Sequence, residues 1–391
     1  MKKKVILITG ATGYLGCHLA YDFLKEGHQV IALVRQTDKG ISVSEKALKA
    51  ISAVNDQEQI PAENLIVIPG NVVDRANILA DRIQTQVQAK IDEIWHCAVI
   101  FDIHKTKKHE VEATNIKGTQ NMLDLALQIN SETPPRFFYV STAYSSGREQ
   151  EVIREEIPPN IQNFRSLYEW SKHKAETQVE CYQEKFGLDA TIFRPSVVVG
   201  SPTTKVISYT GYYRVCREIY HLYKRFEEEA GPDFDGHINI RILGKPEAYL
   251  NIVPIDYVIK AMRIISNKQK LMTNDLKIFN IVNEAPTSLR LIREIVCESL
   301  NISGLELIEQ DAIDQSSMNF LEKGIARKFA FQMPYMNEDI SFSNDRFREV
   351  VSPEELSNPA IDSNFLRAIN RTFFDHIEHK ALSSENGKGK S

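Results

Sequence analysis

Thr9-Gly10-Ala11-Thr12-Gly13-Tyr14-Leu15-Gly16 is the stretch that decides the fold. It closes Val5–Thr9, an apolar β-branched run that reads as a buried strand, and opens Tyr14–Glu26, an amphipathic helical pattern. Gly10 permits the tight turn, Gly13 lets backbone come close to a bound group, and Gly16 lets helix pack closely on strand. Free N–H groups and the dipole at such a helix N-terminus favour a pyrophosphate. The glycines stand between the first strand and the first helix, so they predict a dinucleotide-binding βαβ unit, with Thr12, Tyr14 and Leu15 in the same turn.

Working outward, Gln29–Val34, Leu65–Ile68, Glu93–His96, Phe137–Val140 and Thr191–Arg194 read as further strands. They are apolar throughout, as strands covered on both faces are. Amphipathic Val111–Ile129 and Tyr168–Phe186 lie between them. Strict alternation implies parallel pairing with right-handed crossovers, hence an α/β fold with a doubly wound (Rossmann) parallel sheet.

Beyond about Gly200 the rhythm changes. Ser201–Phe226 is aromatic-rich, Glu227–Glu229 with Gly231-Pro232 marks a turn or loop, and Leu250–Ile255 and Lys277–Val282 look like late strands. The expected organisation is a nucleotide-binding domain over 1–200, with 250–285 rejoining it. A smaller, mostly helical substrate-binding or lid domain is expected over 201–249 and 286–382, and a disordered Ser/Gly/Lys-rich tail over 383–391. Tyr209, Tyr212, Tyr213, Tyr220, Tyr223 and Phe226 fit a core at helical spacing better than a substrate channel or lid.

Composition bounds the function. With 391 residues, 42% hydrophobic and 25% charged, the chain has the profile of a soluble globular protein of more than one domain. A net charge of -5 offers no footprint for nucleic acid. The five cysteines are scattered without a C-x-x-C pair, which argues against a disulfide framework or a metal site and for a reducing compartment. Glycines interrupt the apolar run after Lys2-Lys3-Lys4, so it is no signal peptide, and no stretch reaches the roughly 18–20 apolar residues of a membrane helix. A cytoplasmic protein is expected.

The second strand ends Ala32-Leu33-Val34-Arg35-Gln36. NAD-selective sites place an acid here for the ribose 2′-hydroxyl. Arg35 instead offers a planar cation suited to a 2′-phosphate, so NADP(H) is the expected cofactor. Lys46 or Lys49 is a candidate second cation, and Asn71-Val72, after the third strand, is expected near the adenine.

Tyr168-Glu169-Trp170-Ser171-Lys172 puts Tyr168 and Lys172 on one helical face. A Lys ammonium beside a phenol is expected to lower its pKa and equip it as a general acid. Tyr139-Val140-Ser141-Thr142 brings hydroxyls to the C-terminal end of a central strand, facing the ligand crevice. Asn115 lies on the helix after the fourth strand, where it orients the lysine, a water or the main chain, or serves a structural hydrogen bond. His96-Cys97-Ala98 and Arg194-Pro195-Ser196 end two strands and should border the cofactor, the latter through backbone and Ser196.

The Gly-x-x-Gly-x-x-Gly spacing resembles the extended short-chain dehydrogenase/reductase superfamily. His96-Cys97-Ala98-Val99-Ile100-Phe101-Asp102, Asn115-Ile116-Lys117-Gly118-Thr119, Val140-Ser141-Thr142-Ala143-Tyr144 and Phe193-Arg194-Pro195-Ser196 look like its fatty acyl-CoA reductase and thioester reductase branch, with male-sterility-type NAD-binding domains. Val253-Pro254-Ile255-Asp256-Tyr257-Val258 and Phe279-Asn280-Ile281-Val282 extend the likeness to about residue 285, and Phe342-Ser343-Asn344 echoes it weakly. The resemblance implies hydride delivery from NADPH to an acyl thioester, giving an aldehyde and on further reduction an alcohol. Thr142, ahead of Ser141, would polarise the carbonyl, Tyr168 would donate the proton and Lys172 would tune Tyr168 and hold the nicotinamide ribose. His96 would be structural. No adenylation or carrier domain is found in the chain, which implies a CoA ester or a carrier protein acting in trans; oligomeric state stays open. The rival readings are an extended short-chain enzyme for a ketone or nucleotide sugar, and a non-catalytic NADP sensor.

Overall fold

The computed structural model describes residues 2–36, 40–55, 57–87, 89–101, 107–130, 133–148, 151–202, 204, 208–268 and 276–388. Asp102, quoted above, and 389–391 of the expected tail lie outside them. Contacts divide the chain into two compact units. The first comprises Met1–Ser196, Tyr257–Ile281 and Phe342–Ser357; the second comprises Val197–Asp256, Val282–Ser341 and Asn358–Ser391.

In the first unit the elements run β1 (Val5–Thr9), α1 (Tyr14–Lys25), β2 (Gln29–Val34), α2 (Val43–Ser52), β3 (Leu65–Pro69), α3 (Ala76–Gln86) and β4 (Glu93–His96). There follow α4 (Lys108–Val111), a π-helical turn over Glu112–Lys117, α5 (Gly118–Gln128), β5 (Arg136–Val140), β6 (Val152–Ile153), α6 (Leu167–Phe186) and β7 (Ala190–Pro195). Six of these strands and the later Lys277–Ile281 build one seven-stranded sheet, ordered Lys277–Ile281, β7, β5, β4, β1, β2, β3. Every pairing in it is parallel. The strand order reverses between β1 and β4, and open α/β sheets bind ligands at the carboxyl ends of the strands flanking such a point.

Both faces of the sheet are dry. On one, Leu7, Ile31, Ile94, Phe137 and Ile192 pack with Leu79, Met122 and Val179 from α3, α5 and α6. On the other, Trp95 stacks on Phe138 with centroids 4.3 Å apart and on Phe193 at 5.7 Å, and meets Phe23 of α1 edge-on. This double cover is why the strands carry mostly apolar residues on both faces.

Of the two late apolar runs, Lys277–Ile281 extends the sheet beside β7, while Ile252–Pro254 pairs in parallel with Val197–Val199 in a separate ladder of the second unit. Phe342–Ser357, expected in the lid domain, instead belongs to the first unit. The reason is Glu155: its buried carboxylate accepts from the backbone N–H groups of Asn280 at 3.0 Å, Arg346 at 2.6 Å and Phe347 at 3.1 Å.

The second unit holds helices Tyr212–Ala230, Leu289–Leu300 and Ser363–Lys388, and a parallel pair of strands, His237–Leu243 and Ser303–Ile308. Its core takes in the aromatic stretch: Tyr212, Tyr213 and Tyr220 are buried, and Tyr209, Tyr223 and Phe226 pack against them. The tyrosines that reach polar partners do so within the unit, Tyr212 donating to Asn370 at 2.6 Å and Tyr213 accepting from the Gly200 N–H at 2.8 Å. Residues 383–388 continue the helix Ser363–Lys388.

Candidate active site

The turn after β1 is shaped by what glycine lacks. Gly10 has φ +70°, and a Cβ there would come within 2.8 Å of the backbone of Cys97 and Ala98. A Cβ on Gly16 would lie 2.1 Å from the Gly10 carbonyl oxygen. Gly13 precedes α1, donates its N–H to Gly10 O at 2.8 Å, and leaves the helix without a side-chain cap or an acidic residue in its first turn. A helix start with no side-chain cap and no acid in its first turn fits an anionic pyrophosphate. Thr12, Tyr14 and Leu15 stand in this turn, with Tyr14 edge-on to His18 at 5.2 Å.

Arg35 immediately follows β2, exposed, and makes no side-chain hydrogen bond or ion pair among the described residues. Asn71 forms a turn after β3, its Oδ1 accepting from Val73 N–H at 3.3 Å, and Val72 beside it is buried. Lys46 and Lys49 lie on α2.

His96 is fully buried between Thr9 and Thr119, with its ring nitrogens 2.7 Å and 3.1 Å from their hydroxyls. Burial, then the charge of Lys172, pushes its pKa down to about 3, so the ring stays neutral and structural. Thr9 also accepts from the Ala98 N–H at 3.2 Å, which fixes the Cys97-Ala98 turn against the glycines. Burial pushes the Cys97 thiol up to about 12, so it is not a nucleophile.

Ser166 caps α6, accepting from Glu169 N–H at 3.1 Å, and so sets the register that places Tyr168 and Lys172 one turn apart. Lys172 is buried; its ammonium donates to the Val140 carbonyl at the end of β5 at 2.5 Å and lies 4.3 Å from the centroid of Tyr139. Burial pushes it down to about 7, against the opposing pull of Glu176. Tyr168 is half-buried with its ring edge 4.7 Å from Phe101. Burial, followed by the negative charges of Glu169 and Glu176, holds its phenol well above the usual range. The expected lowering by Lys172 is thus overturned in this arrangement: the desolvation of a buried phenol dominates. A phenol kept protonated is nonetheless the right form for a proton donor.

Thr142 follows β5 and caps the short 3₁₀ turn Ala143–Ser146 through its hydroxyl, 3.4 Å from Tyr144 N. Ser141 is buried with its hydroxyl unpaired among the described residues. Arg194, a candidate for the cofactor, turns its guanidinium inward, Nε and Nη2 to Glu176 at 2.9 Å and 2.6 Å and Nη1 to the carbonyls of Arg154 and Glu156, leaving only backbone to border a ligand. Ser196 donates its N–H to Ile281 O at 3.1 Å, while Pro195 ends β7.

Asn115 lies in the π-helical turn, a device common at functional sites. Its amide accepts from Ile100 N–H at 2.8 Å and donates to Ile100 O and to Ser171 Oγ, both at 3.0 Å. Ser171 in turn donates to Tyr168 O at 2.8 Å, so Asn115 braces the helix that carries the tyrosine. Ser171, Ser145 and Glu176 were not picked out from sequence. Their spacing of Glu176 four residues beyond Lys172 was the available signal, since it extends the same helical face.

Among the described residues no cluster of His, Cys, Asp or Glu could hold a metal ion, and no helix is long and apolar enough to cross a membrane.

Three comparisons bear on this arrangement. The model of a family described as male sterility protein, an NAD-binding domain, matches residues 8–262. The large subunit of L-2-aminoadipate reductase from Eremothecium gossypii is 26% identical over 275 residues, 65% of this chain and 18% of that protein. A UDP-N-acetyl-alpha-D-glucosaminuronate decarboxylase from Bacillus cytotoxicus is 27% identical over 220 residues, 54% of this chain and 59% of that protein. The chain therefore spans less than a fifth of the length of the reductase. Among solved structures, the terminal R domain of the myxalamid PKS-NRPS pathway superposes with a TM-score of 0.72 at 19% identity, covering 98% of this chain and 92% of that one. The UDP-glucuronic acid 4-epimerase of Bacillus cereus, in complex with UDP-glucuronic acid and NAD, gives 0.63 at 17% identity, covering 95% and 99%. Both likenesses are of fold.

Proposed function

The chain belongs to the male sterility protein family of NAD-binding domains, and from that membership we propose that it reduces an acyl thioester with NADPH. The observation that carries the reading is the grouping at the end of β5: Thr142 follows the strand whose last carbonyl holds the Lys172 ammonium, and Tyr168 shares a helical face with that lysine. The sequence likeness to an aminoadipate reductase supports a reduction as the chemistry.

NADP(H) fits the residues present. The uncapped first turn of α1 and the glycines around it would take the pyrophosphate, and Arg35 would take the 2′-phosphate that an acid would repel. Asn71 and Val72 would border the adenine, and Cys97, Ala98, Ser141 and the Arg194-Pro195-Ser196 backbone the nicotinamide. When bound, the cofactor supplies hydride to the thioester carbonyl carbon.

The chain's own residues do the rest. Thr142 donates a hydrogen bond to the carbonyl oxygen as charge gathers on it. Tyr168 delivers its phenolic proton to that oxygen. The resulting thiohemiacetal loses the thiol and leaves an aldehyde, and a second reduction of the aldehyde gives the alcohol. Lys172 would hold the ribose hydroxyls, and Tyr168, kept protonated by its burial, gives up its proton only as charge gathers on the substrate oxygen. The acyl group arrives as a CoA ester or on a carrier protein.

The test follows NADPH absorbance at 340 nm with acyl-CoA esters of short and long chain. Oxidation of NADPH that Tyr168→Phe abolishes is the expected result. Silence with every ester, accompanied by turnover of a ketone or nucleotide sugar, would move the assignment to the epimerase and dehydratase side of the fold. A Tyr168→Phe protein with every activity intact would show that Tyr168 is not the proton donor and sink this chemistry.

A further inference from the structure

Among the described residues, Glu176 and Arg194 form a fully buried ion pair with an uncommon set of attachments. Glu176 and Arg194 are both 0% exposed in their side chains and pair bidentately. Glu176 Oε1 also accepts from Ser145 Oγ at 2.9 Å, and Arg194 Nη1 donates to the carbonyls of Arg154 and Glu156, each at 3.0 Å. Buried pairs of this kind are a poor source of net stability, because desolvating both ions offsets most of their attraction. What this pair has is position.

Glu176 stands on α6 at four residues from Lys172 and eight from Tyr168, on the face that carries both. Ser145 belongs to the 3₁₀ turn that Thr142 caps. The carboxylate therefore binds the helix of the acid and the lysine to the turn of the hydroxyl, the two parts of the candidate site that come from separate stretches of chain. Arg194, near the end of β7, fixes that carboxylate in orientation and ties the segment 154–156 after β6 to the same point. Its negative charge also reaches Lys172 and opposes the neutralising effect of burial there.

We propose that Glu176, held by Arg194 and Ser145, is a positioning residue that sets the Thr142 turn against α6 and places a negative charge one helical turn from the Lys172 ammonium. This rests on Thr142, Tyr168 and Lys172 acting together, and not on which carbonyl compound they reduce.

The experiment measures NADPH affinity by fluorescence from about pH 6 to about pH 9, alongside steady-state kinetics and thermal melting. In the parent protein, affinity falls as Lys172 loses its proton, and Lys172→Met removes that pH dependence. Glu176→Gln keeps the shape, removes the charge, and is expected to move the fall to lower pH by at least about half a unit. Ser145→Ala deletes one hydrogen bond without stranding a charge; it is expected to leave the pH of the fall in place and to lower kcat about three- to tenfold with KM unchanged. A folded Glu176→Gln protein whose fall does not move overturns the electrostatic role. An unchanged kcat in Ser145→Ala overturns the positioning role, and this variant decides that point even if Glu176→Gln fails to fold around Arg194. Intact pH-dependent NADPH binding with no turnover of thioesters would count against the substrate class alone.

Discussion

Asn115 grips both backbone polar groups of Ile100 with one side-chain amide, accepting from its N–H at 2.8 Å and donating to its carbonyl at 3.0 Å. The same amide nitrogen reaches Ser171 on α6, so one residue ties the segment after β4 to the helix of Tyr168. Asn115→Ala strands several buried groups at once, each costing about 1–3 kcal/mol. A melting temperature lowered by several degrees, with kcat reduced more than KM is raised, is expected. A melt and kinetics equal to the parent's would show the brace to be idle.

Tyr168→Phe removes the proton donor and leaves the ring contact with Phe101. General acid catalysis is worth about 10²–10⁴-fold, so kcat is expected to fall by that much while NADPH affinity and melting temperature hold. Calorimetry and single-turnover kinetics separate the two effects.

The pH dependence follows from Lys172. With its pKa pushed down to about 7, the ammonium is present below that pH and lost above it. A rate that needs it declines as pH rises through this value, approaching about tenfold per unit. Tyr168, held protonated, adds no limb there. Stability runs the other way: between about 7 and 10.5 the unfolded chain binds the extra proton, so this residue's contribution rises with pH. A flat profile of kcat/KM across this range would sink the assignment.

Gly16→Ala places a Cβ 2.1 Å from the Gly10 carbonyl, against backbone that cannot step aside. Loss of measurable NADPH binding is expected, together with a lower melting temperature. Gly231→Ala, where the added Cβ meets nothing within 4 Å but φ is +63°, separates strain from crowding: it is expected to cost stability and to spare binding.

Arg35→Asp exchanges a cation for an acid immediately after β2. A charge-assisted contact with phosphate is worth about 1.5–3 kcal/mol, or roughly 10- to 150-fold in affinity. NADPH affinity is therefore expected to drop by that factor while NADH affinity improves. Equal loss of both would mean that Arg35 does not read the 2′-phosphate.

Much of the nucleotide fold was legible because its signals are local. Val5–Thr9, Gln29–Val34 and Glu93–His96 match the expected strands residue for residue, since a doubly covered strand is mostly apolar on both faces. The glycine turn was legible because backbone geometry leaves no substitute for Gly10 and Gly16. Glu176 was not, because a glutamate on a helix reads as solvated until Arg194 and Ser145 are seen to enclose it. The pair His237–Leu243 and Ser303–Ile308 went unrecognised although Ile238, Ile240 and Ile242 alternate with polar residues, which is the period of a half-buried strand. The docking of Phe342–Ser357 could not be read at all, since Glu155 meets Arg346 across 191 residues with no local pattern to announce it.

That last separation governs how the protein can be made. When residue 196 leaves the ribosome, β7 is still a bare sheet edge, and it stays so until Lys277–Ile281 arrives to cover it. At about 5–20 residues per second the nascent chain carries that adhesive edge for several seconds. Glu155 waits longer still, its carboxylate without the amides of Arg346 and Phe347. Translation arrest inside this interval would release an aggregation-prone fragment, so the order of synthesis itself makes the middle of the chain its most vulnerable stage.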